Sequence, residues 1–272
     1  MSYLYTSELA RAVGVHPNTV RRYVERGILP PVERSPSGYR RFTQRHLDCL
    51  RLACLAYRGP YPGKAIFDLG AQLTQAVVES DLAGALALAG QRLELTHAER
   101  VHANLAAAVL ERWADQTNAT PADGLPGGAT AQPLRIGQVA RLLGVSIDVV
   151  RGWDRNGLID IPRDPENGYR RYGAQQISRL RIIRMLSRAG FSTAAILRML
   201  IQLDSGETAN LRHALDTPRP DEDVYLASDR WLSTLAEQEQ RSRAMLALVE
   251  ELGQRQAPSS DPARAGSQRG SA

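Results

Sequence analysis

The order of apolar and polar residues predicts short amphipathic helices at the beginning of the chain. The apolar positions spaced to form a small helical core are Leu9, Val13, Val15, Val20 and Val24. Thr6 is a suitable N-cap for a first helix, which Gly14 ends. Pro17 suits the first turn of a second helix, which ends at Gly27. Two short helices joined by a tight turn predict a helix-turn-helix.

The same pattern occurs a second time, 130 positions further along and without a gap. This shift places residues 9–15 on 139–145, and Gly38-Tyr39-Arg40-Arg41 on Gly168-Tyr169-Arg170-Arg171. Between positions 5 and 52, 13 residues are identical to their counterparts. The identities fall on glycines, apolar positions and arginines, as expected when one small fold is used twice.

Each copy continues into a turn signal and a hairpin pattern. Ser35-Pro36-Ser37-Gly38 precedes Tyr39-Arg40-Arg41-Phe42 in the first copy, and Asn167-Gly168 is a two-residue hairpin turn signal in the second. We therefore predict a small β-hairpin, or wing, in each copy. Further helices are predicted over about 44–58, 64–73, 174–189 and 193–203.

The segment between the copies predicts a helical hairpin over 74–117. Thr96-His97-Ala98-Glu99 fits a capping box, so a new helix is expected to start there. Val101, Leu105, Val109 and Trp113 follow at steps of four on one face of that helix. Residues 118–132 are rich in Thr, Pro, Gly and Ala, which predicts a flexible linker.

A polar connection over 205–220 and a long helix over about 221–255 are predicted after the second copy. The apolar seam of this helix consists of Val224, Trp231, Leu235, Met245, Val249 and Leu252, and it is interrupted by Gln238 and Ser242. A helix of this length needs a partner for its apolar side. Residues 257–272 are mostly Ser, Pro, Gly, Ala and Arg and are expected to be disordered.

The predicted fold class is therefore mainly α, with two winged helix-turn-helix domains and small β-hairpins as the only strands. The predicted division is a first domain at 1–73, the helical hairpin at 74–117, the linker at 118–132, a second domain at 133–203, the connection and long helix at 204–256, and the tail at 257–272.

Charge alternates along the chain in step with these segments. Residues 1–60 carry ten arginines and four acids, and residues 133–203 carry twelve arginines and five acids. The segments that follow are acidic, with four bases against seven acids at 61–118 and six against eleven at 204–256. Basic charge confined to the two copies is typical of two polyanion-binding modules.

The sequence disfavours several classes of protein. No stretch is long and apolar enough to span a membrane and no signal peptide opens the chain, so a cytoplasmic location is expected. Cys49 and Cys54 would lie about 140° apart around a helix, a poor geometry for shared metal ligation. There is no carboxylate pair, nucleophile motif or phosphate-binding loop that would indicate an enzyme, and we expect neither a cofactor nor a metal.

Residues 19–29 and 149–159, together with the wing runs 38–42 and 168–172, resemble the DNA-binding domain of the MerR family of transcriptional regulators. The resemblance covers about 5–73 and 135–203, half of the chain. The order of helix-turn-helix, wing and following helices, present twice, makes this resemblance specific. It implies that residues at the matched positions contact double-stranded DNA.

Physical reasoning indicates the same surfaces. A recognition helix fits the major groove, where polar side chains reach base edges, and wing arginines suit flanking phosphates or the minor groove. The residues expected to contact DNA are Asn18, Arg21, Arg22, Tyr39, Arg40 and Arg41 in the first copy, and Arg151, Arg155, Tyr169, Arg170 and Arg171 in the second. Phe42, Tyr172, Tyr23 and Trp153 are expected to lie in the cores.

The copies depart from the family pattern on their recognition helices. Arg22 stands where an aromatic residue is usual, and Val24 where an acid is usual. Gly152 replaces the same aromatic in the second copy, which costs about 1 kcal/mol relative to alanine. Gly152 has two interpretations. Either it lets the backbone approach DNA closely, or it marks a second copy that binds DNA more weakly. Because Asp148 also adds negative charge near the groove, two unlike half-sites are expected.

The resemblance leaves the pairing of the domains open. Family members usually carry one such domain and dimerise through a long helix after it. Here the two copies pair within one chain, or two chains form a homodimer through residues 221–255. For a regulator, RNA polymerase at a promoter is a further partner to consider.

Three functional hypotheses follow from the sequence. The first is a sequence-specific DNA-binding transcriptional regulator with two non-identical heads. The second is a ligand- or partner-binding protein in which one or both copies no longer read DNA. The third is an architectural or recombination accessory factor.

Overall fold

The computed structural model describes residues 3–119, 133–208, 210–217 and 230–256. The predicted linker from 120 onward, the predicted helical residues 221–229 and the predicted tail at 257–272 lie outside these ranges. The chain divides into two compact units, one formed by the residues up to Thr96 together with those from Gln238 onward, the other by His97–Glu237. Each unit contains one of the two copies.

The first copy is built from four helices and one hairpin. They are α1 (Thr6–Ala12), α2 (Pro17–Glu25), β1 (Glu33–Arg34), β2 (Arg40–Arg41), α3 (Gln44–Tyr57) and α4 (Lys64–Glu79). β1 and β2 are antiparallel, with Glu33 opposite Arg41 and Arg34 opposite Arg40. A single long helix, α5 (Leu82–Ala119), follows this copy.

The second copy has the same helices in the same order. They are α6 (Ile136–Leu143), α7 (Ile147–Arg155), α8 (Ala174–Arg188) and α9 (Thr193–Asp204), and they are followed by α10 (Leu211–Asp216) and α11 (Trp231–Gln256). The mainly α fold class is thus confirmed. No described residue belongs to a helix that is long and apolar enough to cross a bilayer.

The turns between the paired helices use the residues that the sequence supplies for them. Gly14 and Gly144 end α1 and α6 with φ of +64° and +60°, a region that favours glycine. His16 Nδ1 accepts a hydrogen bond from the Asn18 N–H at 3.2 Å, and Ser146 Oγ accepts one from the Val149 N–H at 3.3 Å. The two helix-turn-helix elements therefore have the same plan with different caps.

The predicted cap at Thr6 is wrong by one residue. Thr6 is the first residue of α1, and Tyr5 occupies the N-cap position. The Tyr5 N–H donates to Glu8 Oε2 at 2.7 Å, so a carboxylate in the first turn satisfies the backbone at the start of the helix.

The second hairpin differs from the prediction in its turn and in its pairing. It contains one isolated bridge, Arg163 to Arg170, in place of a two-stranded ladder. The Asp164 N–H donates to the Tyr169 carbonyl at 2.8 Å, so four residues, not two, form the turn. Pro162 and Pro165 lack the N–H groups that a longer ladder would use, which explains the shorter pairing.

The predicted start of a new helix at Thr96 is wrong, because α5 runs through this position without a break. Thr96 Oγ1 donates to the Arg92 carbonyl at 2.7 Å, a bond that a threonine makes inside a helix. Helix α4 also continues to Glu79, beyond the predicted end near 73. Ser80, with φ of +69°, ends it before α5 begins.

Three of the four apolar residues that follow at steps of four along α5 are exposed. Val101, Leu105 and Val109 are 40%, 57% and 40% accessible. Its buried positions in the second unit are Ala103, Ala106, Ala107, Leu110 and Ala114. The small alanine side chains, which carry a weak hydrophobic signal, therefore mark the packed face.

The predicted polar connection over 205–220 contains α10. Leu211, Ala214 and Leu215 are buried there. Arg198 Nε donates to the Ala214 carbonyl at 2.8 Å, which ties α10 to α9. Because α10 has only six residues, it contains too few apolar positions to produce a recognisable helical pattern in the sequence.

The apolar seam of α11 is buried within its own chain. Leu235, Met245 and Val249 are at most 1% accessible and Leu252 is 8% accessible. Met245, Val249 and Leu252 belong to the core of the first unit, which also contains Leu9, Val20, Leu29, Phe42, Leu50, Leu73, Ala85 and Ala89. In the described part of α11, the seam considered for a homodimer through 221–255 is therefore covered by residues of the same chain.

His46 holds the start of α3 as a neutral ring. Its Nδ1 accepts a hydrogen bond from the Thr43 N–H at 3.1 Å, and its Nε2 lies 3.2 Å from the Pro31 carbonyl. This pattern requires the proton on Nε2. Burial lowers the pKa of His46 from its ordinary value of 6.5. Gln176, the counterpart in the second copy, accepts the Gly173 N–H at 3.1 Å without titrating.

We expect acidification to destabilise the first copy through His46. Because the folded-state pKa is lowered, the contribution of the neutral ring is complete above 6.5 and is lost as the pH falls below it. Urea unfolding, followed by circular dichroism from about pH 7.5 to about pH 5, measures this loss. The matched variant His46→Gln should lose less stability over this range. Equal losses in both proteins would contradict the prediction.

The buried hydroxyl of Tyr172 provides a second test of packing. Tyr172 is fully buried like its counterpart Phe42, and no described residue lies within hydrogen-bonding distance of its hydroxyl. We expect Tyr172→Phe to raise the free energy of unfolding by up to about 1 kcal/mol, because a desolvated hydroxyl is removed. Denaturant unfolding measures the change, with Tyr169→Phe on the exposed surface as control. A clear loss of stability would show that the hydroxyl is bonded.

Candidate nucleic-acid interface

The first recognition helix, α2, is anchored by one apolar side and exposes its polar side. Val20 is fully buried, whereas Asn18, Arg21 and Arg22 are exposed. Arg21 Nη1 donates to Asn18 Oδ1 at 3.0 Å, so a neutral amide orients this guanidinium. All three predicted contact residues of α2 are thus available to a ligand.

The second recognition helix, α7, has the same anchoring but a different charge pattern. Val150 and Trp153 are buried, and Arg151 and Arg155 are exposed. Arg151 Nη1 lies 3.3 Å from Asp148 Oδ1, so an aspartate replaces the amide found at Asn18. A Cβ built at Gly152 would meet no atom within 4 Å, so packing inside the protein does not require this glycine.

The first hairpin presents an exposed tyrosine and two half-buried arginines. Tyr39 is 66% accessible and follows Gly38, whose φ is +85°. The guanidinium of Arg41 lies 4.9 Å from the ring centre of Tyr3, a cation–π contact. Among the described residues, no carboxylate forms an ion pair with Arg21, Arg40 or Arg41. The guanidinium groups of these three arginines are therefore not held by a carboxylate.

The second hairpin carries its arginines in ion pairs. Arg170 Nη2 lies 2.6 Å from Asp154 Oδ2, which brings the hairpin beside α7. Arg171 Nε donates to Asp164 Oδ2 at 2.6 Å. Hydrogen bonds from the Glu166 N–H and from Arg171 lower the pKa of Asp164. Tyr169 is 65% accessible, like Tyr39.

The two copies therefore differ systematically at matched positions. Asp148, Asp154 and Asp164 stand where the first copy has Asn18, Val24 and Arg34. Each of these aspartates pairs with an arginine predicted to contact DNA. The sequence pointed to Asp148 as a negative charge near the recognition helix. It did not point to Asp154 and Asp164 as partners of arginines, although the 130-residue shift aligns them with Val24 and Arg34, which carry no negative charge. A phosphate must compete with these carboxylates in the second copy.

The hairpin turns are held by arginines that the sequence analysis did not single out. Arg34 Nη1 donates to the Gly38 carbonyl at 3.0 Å, and Arg163 Nη1 donates to the Gly168 carbonyl at 3.3 Å. These bonds fix the turn that precedes Tyr39 and Tyr169. Each is a side-chain to backbone contact across the hairpin, which a pattern of residue types does not reveal.

A small cavity of about 160 Å³ lies in the first unit, away from α2 and the hairpin. Its lining includes Arg45, Asp48, Cys49, Leu82 and Leu252. Burial raises the pKa of the Cys49 thiol to about 11, so it stays protonated at neutral pH and is a poor metal ligand. No group of three potential metal-binding side chains occurs among the residues that the structure describes.

Comparison with known proteins identifies both copies. Residues 5–42 match the family described as MerR family regulatory protein, and residues 134–203 match the one described as MerR HTH family regulatory protein. No solved structure matches the chain.

Curated relatives match part of the chain. The mercuric resistance operon regulatory protein of Serratia marcescens is 37% identical over 73 residues, which are 27% of this chain and 50% of that protein. The corresponding protein of Bacillus cereus is 37% identical over 73 residues, 27% of this chain and 55% of that protein. The HTH-type transcriptional regulator CueR of Escherichia coli O6:H1 is 31% identical over 91 residues, 32% of this chain and 61% of that protein.

The chain spans about half the length of the first of these relatives. The matches nevertheless agree with the order of helices, hairpins and exposed arginines described above in both halves of the chain. The chain therefore carries two MerR-family domains in tandem, one matched at residues 5–42 and one at residues 134–203.

Proposed function

We propose that the protein is a transcriptional regulator that binds specific double-stranded DNA through two non-identical heads. The first head is α2 with the β1–β2 hairpin, and the second head is α7 with the hairpin at 163–170. The observation that carries this proposal is the exposure of an arginine-rich surface at the same place in both copies. The relatives are named as regulators, which supports the assignment.

The contacts follow from the chemistry of the exposed groups. Arg21 and Arg151 stand mid-helix, where a guanidinium donates to the O6 and N7 atoms of guanine in the major groove. Arg40, Arg41, Arg170 and Arg171 suit phosphates beside that groove, and Tyr39 and Tyr169 offer hydroxyl donors. Acting on promoter DNA would place the protein in the cytoplasm and beside RNA polymerase.

Arg22 and Arg155 complete the basic side of the recognition helices. Both are exposed, and Arg22 lies where the second copy has Gly152. Asn18 suits bidentate contact with adenine, whereas Asp148 would accept from cytosine or repel phosphate. Because these side chains differ in chemistry, the heads select different base sequences, and the operator consists of two unlike half-sites.

The first experiment is selection of binding sites from random duplex DNA with the full-length chain. Recovery of a site with two distinct half-sites supports the proposal. Recovery of one half-site assigns DNA reading to a single head and leaves the other copy for a ligand or a protein partner. Failure to recover any sequence would contradict specific DNA binding.

We expect Arg21→Ala and Arg151→Ala to weaken binding to the selected site by different amounts. A bidentate contact with a base contributes about 1–3 kcal/mol, so each loss is roughly 5- to 150-fold. Arg151 must leave Asp148 to bind DNA, whereas Arg21 leaves only an amide, so the loss should be larger for Arg21→Ala. Fluorescence anisotropy and footprinting measure affinity and position. Arg112→Ala, an exposed arginine of α5, controls for general loss of charge.

A reciprocal exchange isolates the charge difference between the heads. Asp148→Asn gives the second head the amide of the first, and Asn18→Asp does the reverse. Both positions are exposed, so folding should be unaffected. We expect Asp148→Asn to tighten binding and Asn18→Asp to weaken it, each by about 1 kcal/mol or roughly fivefold. The slope of log K against log salt should become steeper for the former and shallower for the latter. Changes in the opposite directions would mean that the aspartate accepts from a base.

A further inference from the structure

The long helix that follows the second copy packs on the first copy. Arg255 Nη1 lies 3.2 Å from Asp48 Oδ2 of α3. Arg241 Nη1 donates to the Leu55 carbonyl at 3.4 Å, and Gln238 Nε2 donates to the Pro60 carbonyl at 2.8 Å. These contacts, spread along α11 from residue 238 to 255, attach it to the first unit over most of its length.

Within the first unit, α11 runs antiparallel to α5. Leu82 at the start of α5 lines the same cavity as Leu252 near the end of α11. Ten residues further along α5, Arg92 donates to Ser242, ten residues back along α11. Ten residues of helix advance about 15 Å, so the two helices remain in register over this distance. Over this stretch the two helices therefore lie side by side and run in opposite directions.

The two helices contribute side chains of different size to the core of the first unit. Helix α5 supplies Ala85 and Ala89 to the core, and α11 supplies Met245, Val249 and Leu252. Small residues on one helix leave room for large residues on its partner. Two α5 helices would place alanine against alanine and leave a void, and two α11 helices would be crowded. The packing therefore favours α5 with α11 over either helix with its own copy.

A buried polar cluster adds a second requirement for this partner. Arg92 is 1% accessible, and its guanidinium donates to Ser242 Oγ and, at 2.7 Å, to Gln238 Oε1. Thr96 Oγ1 lies 3.3 Å from Ser242 Oγ. Burial lowers the pKa of Arg92 to about 10, so the group still carries its charge at neutral pH. No carboxylate among the described residues pairs with it.

The cost of burying this charge makes the cluster selective. A buried guanidinium without acceptors is strongly unfavourable, and the acceptors outside α5 are both on α11. A buried polar residue whose hydrogen bonds only one partner helix can satisfy is a known way to specify both the partner and the register of a helix pair. The residues that interrupted the apolar seam in the sequence, Gln238 and Ser242, are therefore the ones that specify the pair.

We propose that one chain forms the complete two-headed unit by itself, with the α5–α11 pair in place of a contact between two chains. A single chain then occupies a composite DNA site made of both half-sites. This occupancy of DNA rests on the proposed function, whereas the pairing of the helices is independent of DNA.

The pairing is tested by cross-linking in the full-length protein. Thr96→Cys and Ser242→Cys place thiols where two hydroxyl oxygens lie 3.3 Å apart, with little change in volume. After oxidation, non-reducing electrophoresis should show the double variant as a single chain of about 30 kDa that contains a new disulfide. An equimolar mixture of the two single variants, unfolded and refolded together, should give no product of twice that mass.

The matched control is Thr96→Cys with Glu250→Cys, an exposed position of α11 eight residues further along, which should not cross-link. A product of twice the mass from the double variant, or from the mixed single variants, would overturn the intrachain pairing. Arg92→Leu tests the selectivity of the cluster. In the Arg92→Leu background we expect the Thr96→Cys single variant to form a disulfide between two α5 helices, because without the charge α5 no longer requires Gln238 and Ser242.

The DNA stage then uses the cross-linked chain and the duplex recovered by selection. Light scattering of the complex should give one chain per duplex, with affinity within about twofold of the reduced protein. Two chains per duplex would overturn the single-chain occupancy and leave the helix pairing intact. An intrachain cross-link in a protein that selects no DNA would refute the proposed function and not the pairing.

Discussion

The contact between α11 and α5 is the interaction on which the first unit depends. Helix α11 lies far from the first copy in sequence, yet Met245, Val249 and Leu252 complete its core. Each such side chain contributes about 1.5–3 kcal/mol when fully buried, which is a large fraction of the stability of a small domain. The first copy alone is a small domain, and a supporting helix from elsewhere in the chain is a physical solution to its limited core. The buried charge of Arg92 makes the same contact selective.

The same helical scaffold supports two surfaces of different charge. Leu9, Val20 and Phe42 occupy the positions of Val139, Val150 and Tyr172, and all six are fully buried. Because the cores fix the helices, the exposed positions are free to diverge. The divergence is concentrated on three aspartates, each of which neutralises an arginine on the surface of the second copy. In the proposed regulator, this difference in charge between the matched copies would give two half-sites of unequal strength, with a polarity that a symmetric dimer lacks.

The candidate site was largely predictable, and its electrostatics were not. The exposed residues of α2 and the hairpins follow from helical periodicity and from the repeat, because both depend on neighbours close in sequence. The pairing of Arg170 with Asp154 joins positions 16 residues apart and depends on how the hairpin folds beside α7. Similarly, Thr96 has the sequence of a cap but lies inside a helix, since its hydroxyl bonds the carbonyl one turn earlier. Local signals specify what a residue can do, and the fold selects among those possibilities.

The sequence by itself determined the two repeated domains, the order of their helices and hairpins, and the family to which they belong. It did so because glycine turns, proline positions and apolar spacing act over a few residues. Only the tertiary structure decided which faces of α5 and α11 are buried. Val101 and Leu105 have stronger apolar signals than Ala85 and Ala89, yet they are exposed, whereas the alanines are buried in the core to which α11 contributes Met245, Val249 and Leu252. Complementarity of size and charge between distant helices is a property of the pair, and neither segment carries it alone.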